Sequence, residues 1–114
     1  MIPDLSSFRF FIRPGITDLR KAVNGLSVII QNEMKKDPFE KAFYLFCNRD
    51  SKLLKIVYWD RTGFCLWQKR LEKARFPWPK NSDEVYEVTR DQLEMLMAGI
   101  NFFKAHKELH FKRV

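Results

Sequence analysis

The chain has 114 residues, 46% hydrophobic and 15% aromatic, which excludes a disordered tail or a fibrous repeat and fits one compact domain. Lys and Arg number 21 against 14 Asp and Glu, a formal charge of +7, and this balance favours an anionic partner, nucleic acid ahead of an anionic membrane surface. Two cysteines are too few for a disulfide scaffold, no uncharged stretch approaches the ~18–20 residues of a membrane span, and the first residues lack the pattern of a signal peptide, so a cytoplasmic location is expected, with nucleoid association open.

Phe8-Arg9-Phe10-Phe11-Ile12 is predicted to be extended and is closed by the turn pair Pro14-Gly15. Thr17 is placed to cap a helix with Asp18 beside its positive end. Ile16, Leu19, Val23, Leu26 and Ile30 follow at spacings of three and four, and Asp37-Pro38 stops the pattern, which predicts a first helix over about 17–35. Gly25 inside that helix costs on the order of 1 kcal/mol relative to alanine, so close packing is expected there.

Three strand-length runs follow at 42–47, 53–59 and 64–70, rich in aromatic and branched residues. The connectors between them suit hairpins, so residues 42–70 are expected to form an antiparallel meander. With hairpins symmetric about their loops, 47 faces 53 and 59 faces 64. That register puts Cys47 and Cys65 on opposite faces and argues against a disulfide. Residues 85–88 read as a further short strand. Thr89 then opens a second helix, about 90–99, through a Thr-x-x-Gln capping box with Gln92, Val88 stapling against Leu93 and Gly99 at the stop. The tail is open between a third helix and an extended arm.

These elements predict a small α+β fold: one domain over 1–103, a meander with additional short strands, and two helices packed on it, followed by a basic tail over 104–114. A doubly wound parallel sheet is excluded, because residues 42–70 have no room for helical crossovers.

Charge is uneven along the chain. Residues 47–82 hold 9 basic and 3 acidic groups, whereas 83–103 hold 1 and 5. The meander thus combines Arg49, Lys52, Lys69, Arg70 and Arg75 with Trp67 and Trp78: cations that neutralise phosphates and rings that stack on unpaired bases. These seven residues are the candidate nucleic-acid contacts. The bland alternative makes the rings core and the cations solubilising. Arg20-Lys21, expected in the first turn of helix one, form a second candidate surface for an anion or a partner. The alternative there is a solvated face, or Arg20 paired with a carboxylate.

Little points to catalysis or a metal. His106 and His110 stand four apart, but the Glu that a zinc protease places directly after its first His is missing. Asp18, Asp37, Asp50 and Asp60 fall at cap or turn positions, where aspartate is expected without any metal. No phosphate-cradling glycine loop or nucleophile elbow occurs. Neither a cofactor nor a metal is expected.

Several strings in a shared order carry a family resemblance. They are Thr17-Asp18-Leu19-Arg20-Lys21 with Gly25-Leu26, Asp37-Pro38-Phe39, residues 54–66, residues 69–76, Trp78-Pro79 and residues 93–100. Over residues 1–103 the chain resembles the accessory protein of the insertion sequence 66 family (TnpB-type, from the second open reading frame). Ala22 and Ala74 stand where that family often has glycine, and nothing after Phe103 matches. The resemblance implies a non-catalytic helper for transposition, encoded beside a separate, larger transposase. Its expected partners are that transposase and transposon-end DNA, with self-association open. The alternatives are a protein–protein adaptor without nucleic-acid affinity and, further off, a small metal-dependent nuclease.

Overall fold

The computed structural model of the chain describes residues 7–80 and 85–100. In order, these form β1 (Arg9–Ile12), α1 (Val23–Asn32), β2 (Ala42–Cys47), β3 (Leu53–Asp60), β4 (Gly63–Arg70), β5 (Tyr86–Val88) and α2 (Arg90–Met97). The five strands make one mixed sheet in the order β4-β3-β2-β1-β5. The α+β expectation holds, and the meander is β2–β3–β4. The tail 104–114, with His106 and His110, lies outside the described residues.

β2 is buried along its whole length because both faces of the sheet are covered. Phe11, Tyr44, Phe46 and Val57 pack with Leu26, Ile29 and Ile30 of α1 on one face. On the other, Phe10, Phe43, Leu45, Cys47, Leu54 and Ile56 pack with Leu93 and Leu96 of α2 and with Phe76 and Trp78. Two apolar faces of one sheet thus demand two separate lids, and the amphipathic helices supply them.

Three points separate the structure from the sequence reading: two expectations are corrected, and the pairing of β1, which the sequence left open, is added. The first concerns helix one, which begins at Val23 with Ala22 at its N-cap and no side-chain cap, and ends at Asn32. Thr17 is buried instead: its amide donates to the Cys47 carbonyl at 2.9 Å and its hydroxyl accepts from Arg13 at 2.8 Å. The hydroxyl that would have capped a helix is spent on Arg13, and the chain runs alongside the end of β2 before turning. Lys55 Nζ donates to the Leu19 carbonyl at 2.6 Å and holds that turn.

The second concerns the pairing of β1, which runs parallel to β2, from Arg9 opposite Ala42 to Ile12 opposite Leu45. Residues 13–41 contain α1 and are long enough to make the crossover that a parallel pair requires. β5 closes the far edge antiparallel to β1.

The third is a slip of one residue between β2 and β3: Cys47 faces Leu54, not residue 53. Asn48 joins the ladder, its amide donating to the Leu53 carbonyl at 3.1 Å while its Oδ1 accepts from the amides of Lys52 and Leu53. The loop is therefore 49–52, with Ser51 in the left-handed region at φ 58°. The β3–β4 register is as expected, Trp59 opposite Phe64. Because one residue of slip exchanges faces, Cys47 and Cys65 share the α2 face. Cys65 lies opposite Tyr58 and Cys47 opposite Leu54, two rows apart along the sheet, and both thiols are free.

Helix two follows its signals. Thr89 accepts from the Gln92 amide at 3.1 Å and Gln92 Oε1 accepts from the Thr89 amide at 2.9 Å. Gly99, at φ 82°, turns the chain after the last helical residue.

Candidate nucleic-acid interface

The β2–β3 turn organises one end of the sheet. Ser51 is buried there, and its carbonyl accepts from the Phe76 amide at 2.6 Å; the Lys52 carbonyl accepts from the Leu71 amide at 2.8 Å. These two bonds draw the segment after β4 back across the turn. Arg70 is the last residue of β4 and sits opposite Leu53. Arg49, Lys52, Arg70 and Arg75, far apart in sequence, therefore gather at this end. Arg49, Arg70 and Arg75 are exposed and Lys52 half-buried. Among the described residues these four form no salt bridge.

Arg20 reaches the same end from another part of the chain. A cleft of about 410 Å³ lies between the segment 16–20 and the β2–β3 turn, and it is lined by Ile16, Thr17, Asp18, Leu19, Arg20, Asn48, Arg49 and Leu53. Arg13 holds this segment in place through the Ile16 carbonyl and Thr17 at 3.1 and 2.8 Å, and through Glu33 beyond α1. The cleft thus has both Arg20 and Arg49 in its lining, two residues that sequence reasoning kept as separate candidates.

Arg20 is already engaged. Its Nε and Nη2 bond the two Asp18 carboxylate oxygens at 2.9 and 2.8 Å, and its amide donates to Asp18 Oδ1 at 3.0 Å. Those hydrogen bonds, the side-chain ones first, hold the Asp18 carboxyl well below the ordinary carboxylate value and raise the Arg20 pKa. The sequence expectation of Arg20 and Lys21 in a helical first turn is corrected: both precede α1, which begins at Val23. Lys21 is exposed, and its side chain crosses α1 where Gly25 has no Cβ: one built there would stand 3.1 Å from Lys21 Cβ. The close approach expected at Gly25 is to this lysine stem.

The other three candidates lie elsewhere. Lys69 is on the α2 face, where its Nζ donates to the Met97 carbonyl at 2.9 Å and satisfies an end of α2. Trp78 is only 9% exposed and its Nε1–H donates to the Arg13 and Gly15 carbonyls at 3.0 and 3.1 Å. It is a core residue, packed in the cluster with Phe76, Leu93 and Leu96 and tied to the chain just after β1. Trp67, in contrast, is 39% exposed. What sequence reasoning missed is Leu66, its neighbour in β4, 40% exposed on the opposite face. The signal was available: both belong to the last strand of the meander, which the hairpin order pairs on one side.

Among the described residues no three of His, Cys, Asp and Glu lie close enough to hold a metal ion, and no helix is long and apolar enough to cross a membrane. Two of the four candidate aspartates are engaged in local structure: Asp18 binds Arg20, and Asp37 Oδ1 accepts from the Phe39 amide at 2.9 Å.

Comparison with known proteins places this arrangement. Two uncharacterized proteins of Sinorhizobium fredii are similar along nearly their full lengths. One, y4hO, is 32% identical over 102 residues, covering 90% of this chain and 89% of that protein. The other, y4jC, is 24% identical over 108 residues, covering 95% and 92%. No solved structure matches the chain. The model of the family described as "IS66 Orf2 like protein" matches residues 8–107, which takes in every described strand and helix and the gathered cations. The chain therefore belongs to the IS66 Orf2-like family.

Proposed function

We propose that this chain is a non-catalytic accessory protein for transposition of a bacterial insertion sequence, and that it acts on transposon-end DNA through the basic end of its meander. Family membership supports the setting. The observation that carries the DNA contact is the convergence of Arg49, Lys52, Arg70 and Arg75 on one end of the sheet, without carboxylate partners among the described residues, with Arg20 lining the same cleft as Arg49. Cations gathered at one end can neutralise neighbouring phosphates, and they favour phosphate contact over base reading.

The test is binding to a short labelled duplex and to its single strand across a salt series. Affinity for duplex should fall with salt at a slope of about 0.9 per phosphate contact. Arg49→Glu with Arg70→Glu should weaken it while leaving the thermal melt in place. Unchanged affinity in that double variant removes the meander end from the function. No binding even at low salt favours the adaptor reading, in which the chain docks on the element's transposase; the exposed Leu66 and Trp67 support that second reading. Divalent-metal-dependent strand scission, lost in Asp18→Ala or Asp60→Ala, would replace the non-catalytic reading altogether.

A further inference from the structure

The two edges of the sheet are unequal. β5, at one edge, is three residues long, and its Glu87 is ion-paired to Arg9 at 2.6 Å. β4, at the other, is eight residues long, and among the described residues no strand pairs with its outer side. Proteins ordinarily blunt such an edge by shortness, proline, a bulge or charge. β4 has neither a proline nor a charge between Gly63 and Gln68, and its eight residues pair one-to-one with β3 without a bulge. Of six exposed large apolar side chains among the described residues, two lie in a strand, and they are Leu66 and Trp67 at the middle of β4. One projects to each face, so both sides of the edge are apolar at the same point.

We infer that β4 is a docking rail that takes a further strand: an extended segment of a partner protein, apolar at its centre and acidic toward its ends. The backbone supplies the affinity and alternate side chains supply the selection. Charge decides among occupants. Exposed Arg61 precedes β4, Arg70 ends it, and Lys73 and Arg75 follow, outnumbering the one exposed carboxylate of that segment, Glu72. A strand laid beside β4 therefore meets apolar surface flanked by cations. The chain's own residues 104–114 carry 4 basic groups and 1 acidic, and a second copy brings another +7; both are repelled where an acidic segment is attracted. The inference rests on the reading of the meander as the binding surface. It is read out at the β4 backbone, so it fails separately from duplex binding.

The experiment uses the full chain, labelled with 15N, and a synthetic ten-residue peptide of alternating valine and glutamate with blocked ends. Amide hydrogen exchange is followed residue by residue. Addition of the peptide should slow exchange of alternate β4 amides, those facing outward, by about tenfold or more at saturation. The same peptide N-methylated at alternate residues should bind at least about tenfold more weakly, because it has lost ladder donors. A lysine-for-glutamate version should not protect β4. Leu66→Lys, at an exposed position, should weaken binding of the glutamate peptide with the fold intact. The inference is overturned if β4 amides are already protected in the free monomer at every concentration, which makes residues of this chain the occupant. Protection that rises with protein concentration overturns it in favour of a second copy. Equal binding of the N-methylated peptide, or protection confined to other strands, overturns it as well.

Discussion

At the scale of single residues, Trp67 and Trp78 illustrate how identical chemistry takes different roles. Trp78 closes two carbonyl groups with one N–H and buries its ring. Trp78→Phe should keep most of the packing yet leave the Arg13 and Gly15 carbonyls without their donor, at a cost of about 1–3 kcal/mol in urea unfolding. Trp67→Ala, at an exposed edge position, should change stability little; a larger loss in Trp67→Ala than in Trp78→Phe would contradict this assignment. The cysteines divide in the same way. Burial pushes the Cys47 thiol up to about 11, with a smaller opposing contribution from its bond with Ser51. Iodoacetamide at pH 8 should therefore label half-exposed Cys65 in the folded protein and reach Cys47 only on unfolding. The folded thiol keeps a proton that the unfolded one gives up near pH 8.5. Its contribution to stability is thus complete below that value and drains away as pH rises toward 11. Mass spectrometry after brief labelling checks the first claim, and a pH series of unfolding midpoints checks the second.

Among the elements, α2 is the one whose ends are both fixed by named groups. Thr89→Ala removes the acceptor for the Gln92 amide and should cost about 1 kcal/mol. At the other end Lys69→Met keeps the stem and loses the bond to the Met97 carbonyl, a loss of about 0.5–1.5 kcal/mol. A calorimetric melt separates these from Arg70→Met, which should leave stability nearly unchanged; a melt lowered as much by Arg70→Met would mean that Arg70 too has a structural partner. Much of this was legible in the sequence, and the reason is locality. The capping box of α2 and the hairpin at Asp60–Gly63 are written within a few residues of each other. The start of α1 was not legible, because Thr17 is claimed by Arg13 and by the Cys47 carbonyl, thirty residues on. The β2–β3 slip was missed for a related reason: an Asn48 side chain that accepts two amides shortens the loop by drawing its own residue into the ladder. For the candidate interface, composition pointed to the cations of the meander, but only the return of residues 71–76 across the turn shows which of them share an end. It also shows that Lys69 and Trp78 are committed elsewhere.

For the molecule as a whole, the question is whether +7 acts as a diffuse field or as a site. The sheet answers it with a ruler. β3 and β4 are eight residues each, so their ends stand roughly 26 Å apart. Mobile ions screen exposed charges over about 10 Å at 0.1 M salt, and cations at the two ends are therefore nearly independent. Arg49 and Arg70 lie at the end where the β2–β3 turn closes; Lys41 and Arg61 are exposed at the other, just before β2 and just before β4. Arg49→Glu with Arg70→Glu and Lys41→Glu with Arg61→Glu alter net charge identically, so a diffuse field would feel both pairs alike. If the turn end is the site, the first pair should lower the salt slope of duplex binding by about 2 and the second by much less. The comparison belongs at 0.1 M salt or above, because dilute buffer lengthens the screening distance until the two ends merge. Equal losses from the two pairs at that salt would make the binding a property of total charge, and the gathered arginines would then have no privileged role in it.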